Sequence, residues 1–125
     1  MWKSGDVTQI DHDTETLIGE WLTLNDAAKA LSTSPNRVKQ LVRDNKLTGI
    51  RQGGTITIPA AFIVDGEVLK GLAGTLTVLA DAGFTESEAL RWLFTADDTL
   101  PGTPIEALTK DRGTEIRRRA QALAI

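Results

Sequence analysis

Asn36, Gln40 and Arg43 stand four and three residues apart, the spacing that places side chains on one face of a helix. Their chemistry suits the edges of base pairs. The amides of Asn and Gln pair in two-pronged fashion with adenine N6 and N7, and the guanidinium of Arg pairs with guanine O6 and N7. Arg37, Lys39 and Lys46 flank that face and are expected to meet phosphates, which set register without reading sequence. Ser34 opens the same segment, as the N-cap before Pro35 and as the first member of the DNA-facing set. Farther on, Arg51, Gln52 and Thr55 surround Gly53-Gly54. A glycine pair lets backbone come close to a ligand, so this tip could bring a cation and hydrogen-bonding groups to the minor groove or the DNA backbone.

The elements that would position these groups follow from pattern. Thr23 is an N-cap for a short helix with Ala27, Ala28 and Leu31 inward, and Asp26 puts negative charge in its first turn. The linker is Ser32-Thr33-Ser34. A second helix is predicted over residues 35–45, with Val38, Leu41 and Val42 facing inward. Residues 49–52 and 55–58 read as two strands joined by Gly53-Gly54, a tight-turn signal. Pro59 ends the second strand, and Ala60-Ala61-Phe62-Ile63 reads as an apolar turn plugging the hairpin onto the body. Helix, short turn, helix, hairpin is the order of a winged helix-turn-helix, assigned to residues 21–63.

Residues 64–125 read as a helical subdomain. Asp65-Gly66 is a turn. Leu72, Leu76, Leu79 and Ala80 outline one helix, which Gly83 ends. Thr85-Glu86-Ser87-Glu88 is a capping box for the next, and Trp92, Leu93 and Phe94 are core residues. Thr103 caps the following helix, Pro104 to Leu108. Thr114 caps the last, with Ile116, Ala120 and Leu123 inward. The expected fold is thus mainly α with a small β-hairpin wing: a winged helix-turn-helix followed by a C-terminal helical subdomain.

The net charge of −3 over 125 residues conceals a pattern that bears on partners. Residues 21–59 hold six cations, Lys29, Arg37, Lys39, Arg43, Lys46 and Arg51, against Asp26 and Asp44. The first 20 residues hold Lys3 against five acids, and residues 60–125 are also net acidic. The positive excess therefore coincides with the predicted reader, and it is local potential that steers a polyanion. Arg117-Arg118-Arg119 is expected to fan around its helix, with Arg119 nearest the body and paired to a carboxylate such as Asp97 or Asp98.

Catalytic and metal chemistry find little support. There is no cysteine and one histidine, His12, in the acidic N-terminal stretch. That removes thiolate chemistry and leaves little for zinc or nucleophilic catalysis. No phosphate-binding glycine loop is present. Neither a signal-peptide pattern nor an apolar run of roughly 20 residues occurs, so no membrane role and a cytoplasmic location are expected. Residues 1–20 read as a flexible acidic arm, with Leu17-Ile18 and then Trp21-Leu22 docking onto the core.

The chain resembles a family of small actinobacterial winged-helix DNA-binding proteins. The resemblance rests on the helix pair at 23–45, on Ile56-Thr57-Ile58-Pro59-Ala60-Ala61-Phe62, and on the run Leu72-Ala73-Gly74-Thr75-Leu76-Thr77-Val78-Leu79-Ala80-Asp81-Ala82-Gly83-Phe84. Arg91-Trp92-Leu93-Phe94-Thr95, Pro104-Ile105-Glu106-Ala107-Leu108 and Arg118-Arg119-Ala120-Gln121-Ala122 complete it. It implies a DNA-binding protein whose C-terminal part has no named activity; together with the residues, the expectation is a non-catalytic protein of double-stranded DNA, without cofactor. It also implies modification of an arm threonine by a membrane-anchored Ser/Thr protein kinase, for which Thr8, Thr14 and Thr16 are the candidates here. The C-terminal half further resembles, at a distance, the partner-binding region of some antitoxins, where a Trp-Leu pair precedes a loop and a Pro-x-x-x-Leu helix. The competing expectation is thus a protein-interaction module that binds a partner through its C-terminal helices.

Overall fold

Two hydroxyls start the first helices. Thr23 Oγ1 accepts from the Asp26 amide at 3.0 Å and Ser34 Oγ from the Arg37 amide at 3.2 Å, with Pro35 at the first helical position. Such caps satisfy amides that the helix leaves orphaned, and each is worth about 1 kcal/mol. The computed structural model describes residues 15–16, 18–52, 54–97, 100, 102–110 and 112–123. Within them the order is strand β1 (Trp21–Thr23), helices α1 (Leu24–Ala30) and α2 (Pro35–Arg43), and strands β2 (Ile50–Gln52) and β3 (Thr55–Pro59). A 3-10 turn (Ala60–Phe62) and a two-residue hairpin, β4 (Ile63–Val64) and β5 (Glu67–Val68), lead into the C-terminal helices. These are α3 (Leu72–Asp81), α4 (Glu86–Phe94), α5 (Pro104–Thr109) and α6 (Gly113–Ala122).

Both helices of the helix-turn-helix end the same way. After α1, Ser32 takes a positive φ of 55°, its amide reaches Lys29 O at 3.1 Å, and Thr33 N reaches Ala28 O at 2.9 Å. After α2, Asn45 has φ 62°, its amide reaches Val42 O at 3.0 Å, and Lys46 N reaches Leu41 O at 2.8 Å. Crossed bonds around a left-handed residue are the Schellman closure. The left-handed step after α1 turns the chain sharply, which is how so short a linker can join two helices. Helix α2 thus stops at Arg43, two residues short of the predicted 45, because Asp44 is its C-cap and Asn45 has already left helical geometry.

The wing is larger than the expected hairpin. Strand β3 is central, with β2 on one side and β1 on the other, all antiparallel. Gln52 faces Thr55 across the tip, where Gly54 has φ 85°. Trp21, Leu22 and Thr23 face Pro59, Ile58 and Thr57. Three residues are too few to show strand alternation, so the sequence marked Trp21-Leu22 only as an apolar anchor. Hairpin β4–β5 was missed for the same reason, although its turn at Asp65-Gly66 was read correctly. Both turn residues have positive φ, 53° and 82°, the conformation a two-residue hairpin favours.

The two halves share one core. Val38, Leu47, Ile50, Ile58 and Phe62 from the first half and Leu72, Leu79, Leu90, Leu93 and Ile116 from the second are all fully buried in a single cluster. Phe62 and Phe94 bring their rings to 5.8 Å across the junction, within the range of favourable aromatic pairs. The Asn45 side-chain amide donates to Leu76 O at 3.1 Å, which ties the end of α2 to α3. Ile18 is buried in the same core, and Glu15, Thr16 and Ile18 are helical, so the end of the predicted arm is structured. Leu17 lies outside the described residues, as do Thr8 and Thr14.

Several inward assignments needed correction. The buried stripe of α3 runs through Thr75 with Leu72, Leu76 and Leu79, which turns Ala80 outward. Thr75 tolerates this because its hydroxyl donates to Gly71 O at 2.9 Å. Trp92 is only partly buried, whereas Leu93 and Phe94 are core. Thr85 and Thr103 form full capping boxes with Glu88 and Glu106, but Thr114 caps nothing. Helix α6 begins one residue earlier, at Gly113, with Arg112 at the cap position. Gly113 packs against the backbone of Gly71 and the Leu108 side chain, and an Arg112–Glu115 ion pair spans the helix start. Leu123, past the end of α6, is exposed.

One glycine is demanded by the wing itself. A β-carbon on Gly49 would strike the Thr57 carbonyl, backbone against backbone, with Ile56 pressing alongside. Gly49→Ala is therefore expected to lower stability by about 1–3 kcal/mol, as overpacking does. Chemical denaturation of the two proteins is the check; equal midpoints would show that β2 and β3 can separate without cost.

Candidate nucleic-acid interface

Helix α2 buries Val38 and half-buries Leu41 and Val42, which leaves Asn36, Arg37, Lys39, Gln40 and Arg43 exposed. Periodicity alone requires this division, since inward residues at one phase push the polar set to the other. The exposed side chains are not independent. Arg37 Nη1 donates to Gln40 Oε1 at 3.2 Å, so the amide oxygen that an adenine contact would use is held by a neighbouring guanidinium. Ser34 is occupied as the N-cap. Lys46 is exposed beyond the end of α2.

Between α2 and the wing lies an open cleft of about 760 Å³. Lys39 and Arg43 line it from the helix, and Arg51 and Thr55 from the hairpin. The cations come from two separate elements, and Val38, Ile50 and Ile58 of those elements are buried in one core. Gly54 also lines the cleft, so its rim includes backbone with no side chain over it. Ser34, Asn36, Arg37, Gln40 and Lys46 lie outside it; Gln52 is in β2 facing Thr55, next to the tip. The predicted set therefore divides into a cleft group and a group on the exposed face and ends of α2.

Four further polar residues line the cleft outside the predicted set, Thr23, Asn25, Thr57 and Glu86. Asn25 lies in the first turn of α1 and looked like ordinary helix surface. Glu86 belongs to α4, and nothing in its local sequence indicates that it lines a cleft beside the wing. The arginine run of α6, by contrast, behaves as expected. Arg119 bonds Glu115 at 2.9 Å and lies 4.0 Å from Asp97. Its hydrogen bond, with that of Arg112, holds the Glu115 carboxyl below its ordinary pKa. That cation is spent on the body rather than offered to a polyanion.

Among the described residues no group of three or more metal-ligating side chains is gathered, and no helix is long and apolar enough to cross a membrane.

Comparison with known proteins agrees with this architecture. Residues 10–63 match the family described as "DNA-binding protein Rv2175c, wHTH domain", and residues 69–124 match the "Rv2175c C-terminal domain of unknown function". The DNA-binding protein Rv2175c of Mycobacterium tuberculosis (strain ATCC 25618 / H37Rv) is 36% identical, over 78% of this chain and 75% of its own length. Its NMR structure superposes with a TM-score of 0.76 at 34% identity, covering 85% of this chain and 82% of that one. Both halves are matched, and the chain belongs to the Rv2175c family of winged helix-turn-helix proteins.

Proposed function

We propose that this protein binds double-stranded DNA without catalysis, as a transcriptional regulator or nucleoid-associated factor of the cytoplasm. Helix α2 enters the major groove and the β2–β3 wing meets the flanking backbone or minor groove. The observation that carries this reading is the convergence of Lys39, Arg43 and Arg51 on one cleft beside the exposed face of α2. Family membership supports it, because the relative is itself a DNA-binding protein. In this arrangement the cleft group engages phosphates, with Arg43 at its border able to turn toward a guanine. Asn36 and Gln40 face base edges, and Gln40 exchanges its bond to Arg37 for one to adenine. The remaining contacts, from Ser34, Arg37, Lys46, Gln52 and Thr55, fix register on the backbone.

The arm supplies the regulation in this reading. Thr16 is exposed at the structured end of the arm, and Thr8 and Thr14 precede it in an acidic stretch. A phosphate on any of them adds about −1.5 to −2 charges. Next to a cationic reader, that charge competes with DNA for the same side chains.

Affinity for duplex DNA should fall steeply with salt. If about 3–5 phosphates are neutralised, log K against log[salt] should have a slope of roughly −3 to −4.5. A titration flat from low to physiological salt would overturn the reading. Residue roles separate in a second experiment. Arg43→Ala should cost about 1–3 kcal/mol and relax preference for one base pair, whereas Lys39→Ala should weaken all sequences alike. Both variants binding as the parent does would remove α2 as the reader. Finally, protein phosphorylated in vitro by a Ser/Thr kinase should bind DNA more weakly, with the loss abolished when Thr8, Thr14 and Thr16 are all alanine. Unchanged affinity after stoichiometric phosphorylation would refute regulation through the arm.

A further inference from the structure

The cleft beside the wing is not built by the winged helix alone. Its wall includes Glu86, the first residue of α4, contributed by the C-terminal half of the chain. A second carboxylate lies two residues on, but its direction is already settled: Glu88 Oε1 accepts from the Thr85 amide at 2.8 Å in the capping box. Glu86 is exposed and takes no part in that box. Among the described residues lining the cleft it is the sole acid, set in the same cavity as Lys39, Arg43 and Arg51. Burial of Leu90, Leu93 and Phe94 in the common core sets where α4, and with it the backbone of Glu86, begins.

We infer that Glu86 is an electrostatic brake on DNA binding, a fixed negative charge that the C-terminal half places beside the phosphate path. The inference rests on the DNA-binding reading above and assigns the C-terminal half a part in it. A phosphate drawn in by Lys39, Arg43 and Arg51 meets a carboxylate of its own sign in the same cavity. The repulsion acts on every duplex equally, since phosphates carry no sequence. An equal penalty on every duplex cancels from the difference between sites, so the brake lowers overall affinity and eases release from DNA without altering base preference. A carboxylate can also accept from cytosine N4 in the major groove. Glu86, however, shares its cavity with Lys39, Arg43, Arg51 and Thr55 and not with Asn36 or Gln40, and three of those four neighbours are cations suited to phosphate, which favours the backbone role.

The test is Glu86→Gln, which keeps the shape and removes the charge, in the full chain. Glu67→Gln makes the same charge change at an exposed residue of β5 that does not line the cleft. Binding is measured on two duplexes of unrelated sequence, at about 50 mM and about 200 mM salt, with thermal melting to verify folding. At the lower salt, Glu86→Gln should bind both duplexes about 3-fold tighter than the parent, as expected for one like charge several ångströms from a phosphate in a water-rich site. The gain should shrink at the higher salt as screening tightens, and Glu67→Gln should stay near the parent. Equal affinity of Glu86→Gln and parent at low salt would overturn the inference. So would an equal gain in Glu67→Gln, which would mark a net-charge effect, or a loss on one duplex only, which would mark a base contact. Failure of the parent itself to bind any duplex would instead remove the DNA reading, and the brake with it.

Discussion

Val38, Ile50 and Ile58 are each completely withdrawn from water, and their burial in one core is the constraint on which the rest of the molecule depends. Val38 belongs to the helix that carries the polar reader face, and the two isoleucines belong to the wing strands. Helix α1 lies against both α2 and strands β1 and β3, so the placing of helix against wing runs through it. The backbone reinforces that setting. Gly49 lets β2 lie against the Thr57 carbonyl, and β1 closes the other edge of β3. A reader helix without this support would present its side chains at no defined angle to the wing.

The same core explains why the chain's second half cannot be treated as an appendage. Phe62 meets Phe94, Leu69 N donates to Phe62 O at 2.8 Å, and Asn45 reaches across to Leu76. Asn45 carries two duties. Its left-handed backbone ends α2 and its side chain anchors that end to α3, so the axis of the reader helix is referenced to the C-terminal helices.

Charge is distributed by the same logic. The whole chain is acidic, yet its surplus cations gather on α2 and the wing, and the cationic run of α6 is partly engaged on the body through Glu115 and Asp97. The field felt by an approaching polyanion is that of the cleft, not of the chain average. Among the described residues, α4 is the one element outside the winged helix that lines that cleft, and it brings a carboxylate.

Local order was legible in the residues themselves. Thr23, Ser34, Thr85 and Thr103 announced helix starts, Gly83 announced an end, Gly53-Gly54 announced a hairpin and Asp65-Gly66 a turn, because each acts through bonds or dihedrals within a few residues. The inward positions of α2 followed from period alone. What the sequence could not display were interactions whose partners lie far along the chain. Strands β1, β4 and β5 are too short to carry alternation and exist because an edge or a turn offers them hydrogen bonds. Helix α6 begins at Gly113 rather than at a hydroxyl cap because Gly71 and Leu108 lie against it. The grouping of Lys39 and Arg43 with Arg51, and of all three with Glu86, required the folded core. Side-chain type and spacing determined that this chain carries a face suited to nucleic acid. Only long-range burial decided which of those charges share a cleft, since burial is indifferent to sequence separation whereas capping and turn chemistry are not.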